Sequence, residues 1–109
     1  MAESSTELRE AVVEKVRLFL HHLRQAQVDV AAAYLYGSHS AGVAGPHSDI
    51  DVAVVSSDLS GDRLQDWMTL NRISSRIDAR MEVIGFRPEQ FQDENPLVWE
   101  VKTRGLQLA

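Results

Sequence analysis

A Gly-Ser turn followed at a fixed distance by a pair of aspartates constrains this chain more than any other feature. The stretch 37–55 reads GSHSAGVAGPHSDIDVAVV, with ten residues between Ser38 and Asp49. The apolar runs on either side of the turn predict two strands, at residues 30–36 and 49–55. Glycine lets a backbone turn sharply and approach a ligand closely. Gly37 and Ser38 are therefore expected to form a turn that contacts a bound group.

Asp49 and Asp51 stand two residues apart on the second predicted strand, so their side chains should share one face. The apolar side chains of Ile50, Val52 and Val54 should then point to the other face. Two like charges this close are unfavourable unless a bound group neutralises them. Mg²⁺ fits, because it binds through oxygen to one or two carboxylates and to substrate phosphates. Either motif alone predicts only a turn or a solvated pair, whereas together they predict a phosphate site beside a metal site.

The combined pattern resembles the nucleotidyltransferase superfamily that shares the palm fold of DNA polymerase beta. The segments GSHSAG, SDIDVAVV and MEVI are similar to those of the minimal nucleotidyltransferases, which are commonly antitoxins paired with a HEPN-domain toxin. The resemblance covers most of the chain, from the first strand to the C-terminus. It implies an α/β fold with a mixed three- or four-stranded sheet, helices on one face and the carboxylates on the uncovered face.

The resemblance also implies a reaction and the residues that carry it. AMP passes from ATP to a hydroxyl group, while Asp49 and Asp51 hold Mg²⁺ against the phosphates. A second Mg²⁺ shared with Glu82 lowers the pKa of the attacking hydroxyl, or Glu82 takes that proton directly. A short helix begins after Ser38 with its N-terminus aimed at phosphate. The residues implied to bind the nucleotide are Gly37, Ser38, Gly42 and Ser48.

Two positions depart from the family pattern. Ala41 stands where the family often has Arg or Lys, and the missing cation favours weaker triphosphate binding. The third carboxylate, often aspartate in the superfamily, is expected to be Glu82 on a third strand predicted at 80–86. Asp78 is the rival, but it lies at the end of a predicted helix rather than inside the strand.

The acceptor in the family precedent is a tyrosine of the HEPN toxin. With 109 residues, the chain is expected to be a single domain (1–109) without the additional substrate domain of antibiotic-modifying relatives. Two alternatives stay open: a non-catalytic antitoxin that neutralises by binding alone, and a small-molecule nucleotidyltransferase that acts without a partner. The oligomeric state is open between a homodimer and a hetero-oligomer.

Composition narrows the partners and the compartment. The net charge of −5 argues against holding nucleic acid through its phosphate backbone, which needs Lys and Arg. The chain has no cysteine, which fits a reducing cytoplasm. No uninterrupted apolar segment approaches membrane-spanning length, and the acidic start MAESSTELRE is not expected to be a signal peptide.

Helix end signals and apolar periodicity place the first and last helices. Ser4 and Glu7 match a capping box, which predicts a helix from Ser4 to about Arg24. The last helix is predicted from Pro96 through Lys102, since proline favours the first helical position. A short edge strand is predicted after it, at residues 106–108.

The middle helix is predicted to begin at Asp62, which can cap it together with Gln65, and to end near Asp78. Its predicted inner face consists of Leu64, Trp67, Met68, Leu70, Ile73 and Ile77. His39 and His47 fall in the loop before the aspartates. Either could contact a phosphate, but both are expected to be solvated loop histidines.

Overall fold

The computed structural model describes residues 5–109, with the side chain of Ser5 excluded. The helices are α1 (Ser5–Gln25), α2 (Ser38–Ala41), α3 (Arg63–Ser74) and α4 (Pro96–Arg104), with a 3₁₀ turn at Pro88–Gln90. The strands are β1 (Ala32–Tyr36), β2 (Ile50–Val55), β3 (Met81–Phe86) and β4 (Leu106–Gln107). The elements follow the predictions closely, except that α3 ends at Ser74, short of Asp78. The predicted capping box depends on Ser4 and lies outside the described residues.

The strands form a mixed four-stranded sheet in the order β3-β2-β1-β4, which confirms the predicted fold class. β1 is antiparallel to both β2 and β4, whereas β2 and β3 are parallel and are connected through α3. The interior position of β1 agrees with its apolar side chains on both faces. This topology brings the C-terminal end of β1 next to the N-terminal ends of β2 and β3, where the candidate residues lie.

One face of the sheet carries the main core under α1 and α3. Ile50, Val52 and Val54 are fully buried on this face, as their alternation with the aspartates predicts. They pack in one cluster with the apolar stripe of α1, which comprises Val12, Val16, Phe19, Leu20 and Leu23. Within residues 5–109, no helix is long and apolar enough to cross a membrane.

The opposite face is partly covered by α4, which corrects the expectation that all helices lie on one side. Val98 and Val101 of α4 are fully buried in a cluster with Ala53 and Val55 of β2. Ala53 and Val55 are apolar and point to the same face of the sheet as Asp51. Part of that face must therefore be buried, and α4 buries it. The end of the face near Asp51 stays open to a cavity.

The buried side of α3 includes a charged residue. Asp62 caps the helix as predicted, since its carboxylate accepts a hydrogen bond from the Gln65 N–H at 2.9 Å. Asp66 is buried, and its carboxylate accepts the N–H groups of Ser60 and Gly61 at 2.9 and 3.0 Å. These bonds direct Asp66 toward the protein and so fix the rotation of α3 about its axis.

This rotation places three residues of the predicted inner face at the surface instead. Leu64, Trp67 and Met68 expose 67%, 46% and 50% of their surface, whereas Leu70 is buried as predicted. Asn71 of α3 also sets the rotation, because its side chain accepts the N–H of Val83 at 2.9 Å and donates to the Val83 carbonyl at 2.8 Å. Asn71 thereby covers the edge of β3, a position where strands are otherwise unpaired.

Candidate active site

Tyr36, Asp51 and Glu82 lie side by side across three strands. The strand register pairs Tyr36 with Asp51 and Asp51 with Glu82. Residues in register share a face of the sheet, so these three side chains point to the same side. Asp49 is exposed, lies one residue before β2 begins, and acts electrostatically on Asp51. The structure thus brings together all three carboxylates singled out in the sequence and adds a tyrosine that was not.

The environment of Asp51 disfavours its negative charge. Burial raises the pKa of the Asp51 carboxyl above its ordinary value of 3.8, and the carboxylates of Asp49 and Glu82 raise it further. His39 acts in the opposite direction and lowers this pKa. Because a cation relieves repulsion of this kind, the arrangement favours a positively charged group bound at Asp51.

Tyr36 is a site residue that sequence reasoning missed. Its pKa is raised to about 12, first by burial and then by the carboxylates of Asp51, Glu82 and Glu100. The phenol therefore stays protonated at neutral pH and can donate a hydrogen bond to an oxygen near Asp51. Its position directly before the Gly-Ser turn was the available signal, but the face it points to depends on the β1–β2 register.

Gly37 holds the turn after β1 against Asp51. Its φ of 72° is in a region that L side chains rarely adopt. A Cβ built at this position would lie 2.5 Å from Oδ2 of Asp51. The backbone therefore lies so close to the Asp51 carboxylate that only glycine fits at this position. Helix α2 begins immediately afterwards, at Ser38, as the family resemblance implies.

Gly37→Ala should destabilise the protein and displace the Asp51 carboxylate. The backbone at this position has a positive φ, which is strained for alanine, and the added methyl group overlaps Asp51. We therefore expect the free energy of unfolding to fall by about 1–3 kcal/mol. Denaturant titration measures this change. Gly42→Ala is the matched control, because Gly42 has a φ of 77° but a Cβ there meets nothing within 4 Å. An equal loss of stability in both variants would contradict the steric contact with Asp51.

Gly42 and Ser48 shape the loop between α2 and β2. Gly42 ends α2 in the left-handed conformation, and its N–H donates to the Ser38 carbonyl. Ser48 closes a turn with Gly45: its hydroxyl accepts the Gly45 N–H at 2.9 Å, and its own N–H donates to the Gly45 carbonyl at 3.2 Å. Both residues stabilise the loop conformation, and their contact with a nucleotide stays a prediction.

His39 is buried, which corrects the expectation of a solvated histidine. It exposes 3% of its surface, and within the described part of the chain its Nε2 atom has no hydrogen-bond partner. Arg9 of α1 donates to the carbonyl oxygens of His39 and Ser40 at 3.4 and 2.5 Å, which fixes α2 against α1. His47 is exposed, in agreement with its predicted solvation.

Asp78, the rival third carboxylate, is bound into a separate ion-pair network. It accepts hydrogen bonds from Lys15 at 2.6 Å and from the Arg80 guanidinium at 2.8 Å. The hydrogen bonds from Arg80 and then Lys15 hold the pKa of Asp78 well below its ordinary value. Arg80 also donates to the carbonyl of Pro46, so the network connects α1, the loop before β2 and the start of β3. By contrast, Glu82 is exposed and lies beside Asp51.

Two neighbouring cavities open in front of the carboxylates. One, of about 560 Å³, is lined by Asp49, Glu82 and the outer side of α3. The other, of about 420 Å³, is lined by Tyr36, Asp51 and Glu82 together with apolar residues. Trp67 and Glu82 line both cavities, so they lie at the boundary between them. Sequence reasoning missed Trp67 as a site residue because it was assigned to the core.

The carboxylates fit a magnesium ion that also binds phosphate. Within residues 5–109, no group of three or more His, Cys, Asp or Glu residues is arranged to hold a metal ion by itself. Mg²⁺ seldom uses such all-protein sites and instead binds one or two carboxylates, substrate phosphates and water. The carboxylates of Asp49, Asp51 and Glu82 supply the negative charge that such an ion neutralises, and the ion relieves the repulsion of Asp51 by the other two.

The sequence as a whole matches a known protein family, and this match includes the Gly-Ser turn and the carboxylates. The sequence profile described as "Polymerase beta, Nucleotidyltransferase" matches residues 19–105. The chain belongs to this nucleotidyltransferase family. The match extends from the second half of α1 to the end of α4, and so includes every element that carries a candidate residue.

A curated relative agrees with the family assignment. The protein adenylyltransferase MntA of Shewanella oneidensis is 32% identical over 75 residues, which are 69% of this chain and 50% of that relative. The chain thus spans about half the length of the curated relative that it matches.

Solved structures share the fold. A candidate nucleotidyltransferase from Sulfolobus solfataricus has a TM-score of 0.67 at 16% identity, over 98% of this chain and 87% of that chain. A toxin–antitoxin pair crystallised with AMP-PNP has a TM-score of 0.63 at 24% identity, over 89% and 72%. A mutant of the toxin–antitoxin pair MntA-HpeT has a TM-score of 0.61 at the same identity and coverage.

Proposed function

We propose that this nucleotidyltransferase transfers AMP from ATP to a tyrosine hydroxyl of a HEPN-type toxin in the cytoplasm and thereby acts as an antitoxin. The observation that carries the proposal is the register that sets Asp51 beside Glu82, with the Gly37 turn packed against Asp51. This arrangement joins a turn suited to phosphate with carboxylates suited to Mg²⁺, and a magnesium-bound nucleoside triphosphate needs both.

The loop residues bind and orient the triphosphate. Gly37 and Ser38 bind the β- and γ-phosphates at the start of α2, where backbone N–H groups have no partner inside the helix. Gly42 and Ser48 keep the loop in the conformation that presents this turn. Asp49 and Asp51 would hold Mg²⁺ against the phosphates, and Glu82 beside them would either share a second ion or act as the base. When bound, Mg²⁺ would neutralise phosphate charge and lower the pKa of the attacking hydroxyl.

Transfer is an in-line displacement at the α-phosphorus. The acceptor oxygen forms a bond to that phosphorus, the bond from the phosphorus to the α–β bridging oxygen breaks, and pyrophosphate leaves with the electron pair. Glu82 accepts the proton of the acceptor hydroxyl, since it lines both cavities and forms no ion pair within residues 5–109. Tyr36 donates a hydrogen bond to a phosphate oxygen bound near Asp51.

The choice of a toxin as acceptor is supported by the relatives. One relative, at 32% identity, is a protein adenylyltransferase, and two structures with the same fold are toxin–antitoxin pairs. A folded partner also supplies an acceptor that is already oriented when it docks, which lowers the entropic barrier of transfer.

A second candidate function is neutralisation by binding alone. Ala41 favours it, because this exposed position at the end of α2 supplies no cation for a triphosphate. Arg9 does not replace that cation, because its guanidinium is bound to the carbonyls of His39 and Ser40. The pair of Asp49 and Asp51 argues against neutralisation by binding alone, because a protein that only binds its partner does not need two carboxylates that repel each other.

The test is transfer of labelled AMP. The chain is incubated with labelled ATP and Mg²⁺, with and without the purified product of the adjacent gene, and the partner is analysed by mass spectrometry. We expect one modified tyrosine on the partner and little labelling of small alcohols. Transfer to small molecules at a comparable rate without the partner would contradict the antitoxin role. A tight complex with no transferred AMP would support binding alone.

A further inference from the structure

We propose that the outer side of α3 is the surface on which the acceptor protein docks, and that its tyrosine enters the 420 Å³ cavity beside Trp67. This docking face consists of Arg63, Leu64, Trp67, Met68 and Arg72. The inference rests on the proposed function and adds to it the place where the partner binds and the side from which the acceptor arrives.

The docking face groups apolar side chains that the fold leaves exposed. Leu64, Trp67 and Met68 follow a spacing of three and four residues, so they adjoin one another on one side of the helix. Among the described residues, the other large exposed apolar side chains lie apart from this face, on α1, in the loop after α2 and on α4: Leu18, Val43 and Trp99. Trp, Met and Arg are enriched at the centres of protein interfaces, and grouped apolar exposure marks a contact surface.

The direction of the reaction places the acceptor on this side. The sheet order puts β3 on one side of Asp51 and β1 with the Gly37 turn on the other, and α3 packs against β3. The leaving and attacking oxygens lie roughly in line across the transferred phosphorus. Pyrophosphate bound at the Gly37 turn therefore requires the acceptor hydroxyl to approach from Glu82 and α3.

The cavity at this place fits an aromatic alcohol. Leu64, Trp67 and Ile84 form apolar walls, and Asp51 and Glu82 line the same cavity. A tyrosine ring can pack against the Trp67 indole while its hydroxyl reaches the carboxylates. A serine or threonine would leave the apolar walls without a contact, so the chemistry of the cavity favours tyrosine.

The charges at the ends of the docking face indicate what surrounds that tyrosine. Arg63 and Arg72 flank the apolar residues, and within residues 5–109 neither forms an ion pair. The partner is therefore expected to present acidic side chains around an apolar centre at this contact. These acidic side chains are expected only at the docking face. The net charge of −5 on the chain as a whole favours a partner whose remaining surface is basic.

The two tryptophans allow a matched test. Trp67→Ala is compared with Trp99→Ala, since Trp99 is similarly exposed, at 49%, but lies on α4. The purified product of the adjacent gene is the acceptor, and thermal shift with MgATP reports nucleotide binding separately. We expect Trp67→Ala to weaken partner binding and slow AMP transfer at least about tenfold, as for a central interface residue. Its MgATP-induced shift should stay unchanged, and Trp99→Ala should change neither quantity.

The outcomes separate this inference from the proposed function. If the unaltered chain transfers no AMP to that protein, the proposed function fails and the docking surface falls with it. If the unaltered chain transfers AMP and Trp67→Ala transfers it equally well, only the docking surface is wrong. A lost MgATP shift in Trp67→Ala would assign Trp67 to the nucleotide instead. Self-association of the chain that Trp67→Ala abolishes, with partner transfer intact, would assign the face to a second copy.

Discussion

Asp51→Asn should abolish AMP transfer while making the nucleotide-free protein more stable. The amide has the shape of the carboxylate but not its charge, so it cannot hold Mg²⁺ against the phosphates. We expect transfer to fall by about a thousandfold or more, the upper scale for losing a charge-stabilising group. Stability rises because the substitution removes a partly buried charge that Asp49 and Glu82 repel. Thermal unfolding with and without MgATP, together with labelled-AMP transfer, measures both effects.

The pH dependence of this stability difference has a defined sign. Below the ordinary aspartate pKa of 3.8, the Asp51 carboxyl is protonated in the folded and the unfolded protein, so the charge has no effect. As the pH rises from 3.8 to the raised pKa of the folded state, the Asp51 carboxyl ionises in the unfolded chain before it ionises in the folded protein. The unaltered protein therefore loses stability relative to Asp51→Asn over this range of pH. The advantage of the variant should therefore appear above pH 4 and then level off.

Asp29→Asn is the matched control for this prediction. Asp29 is exposed and precedes the start of β1, so it lies at the opposite end of that strand from Tyr36. It removes the same charge without touching the site, and it should change neither transfer nor the MgATP-induced rise in melting temperature. A MgATP-induced rise that persists unchanged in Asp51→Asn would remove this carboxylate from the nucleotide site.

The parts of the site that local rules determine were predictable from the sequence. Alternation along a strand placed Asp51 on one face and Val52 on the other, and the Gly-Ser turn marked where the chain reverses. The position of Glu82 beside Asp51 followed from the family resemblance and from the assumption that β2 and β3 are neighbours. Asp78 is a rival to Glu82 in the sequence, and the structure shows it paired with Lys15 and Arg80. The assignment of Glu82 as the third carboxylate stays a prediction.

Features that depend on long-range contacts were not predictable in the same way. The rotation of α3 is set by buried hydrogen bonds of two polar residues, Asp66 and Asn71, whereas periodicity assigns the inward face to apolar residues. Periodicity therefore predicts Trp67 in the core, whereas the structure places it at the surface. His39 was assigned to solvent and is buried, because its burial depends on α1 packing over α2.

Glu82→Gln should leave nucleotide binding nearly intact and slow AMP transfer by about a hundredfold, the scale of a lost general base. Glutamine keeps the length and polarity of Glu82 at the boundary of the two cavities but cannot accept the hydroxyl proton. The MgATP-induced thermal shift measures binding, and the rate of tyrosine modification measures transfer.

Asp78→Asn is the contrasting variant, because Asp78 is held by Lys15 and Arg80 away from the row formed by Tyr36, Asp51 and Glu82. It should lower the free energy of unfolding by about 2 kcal/mol near pH 7, since it removes hydrogen bonds to charged groups. The pKa of Asp78 is depressed in the folded protein, so its stabilisation is present above pH 4 and is lost as the pH falls through that lowered value. Asp78→Asn should therefore be less stable than the unaltered protein at neutral pH, equally stable in strong acid, and unchanged in transfer rate while folded. If Asp78→Asn lost transfer and Glu82→Gln kept it, Asp78 would be the third carboxylate, and the approach of the acceptor past Glu82 would have to be abandoned.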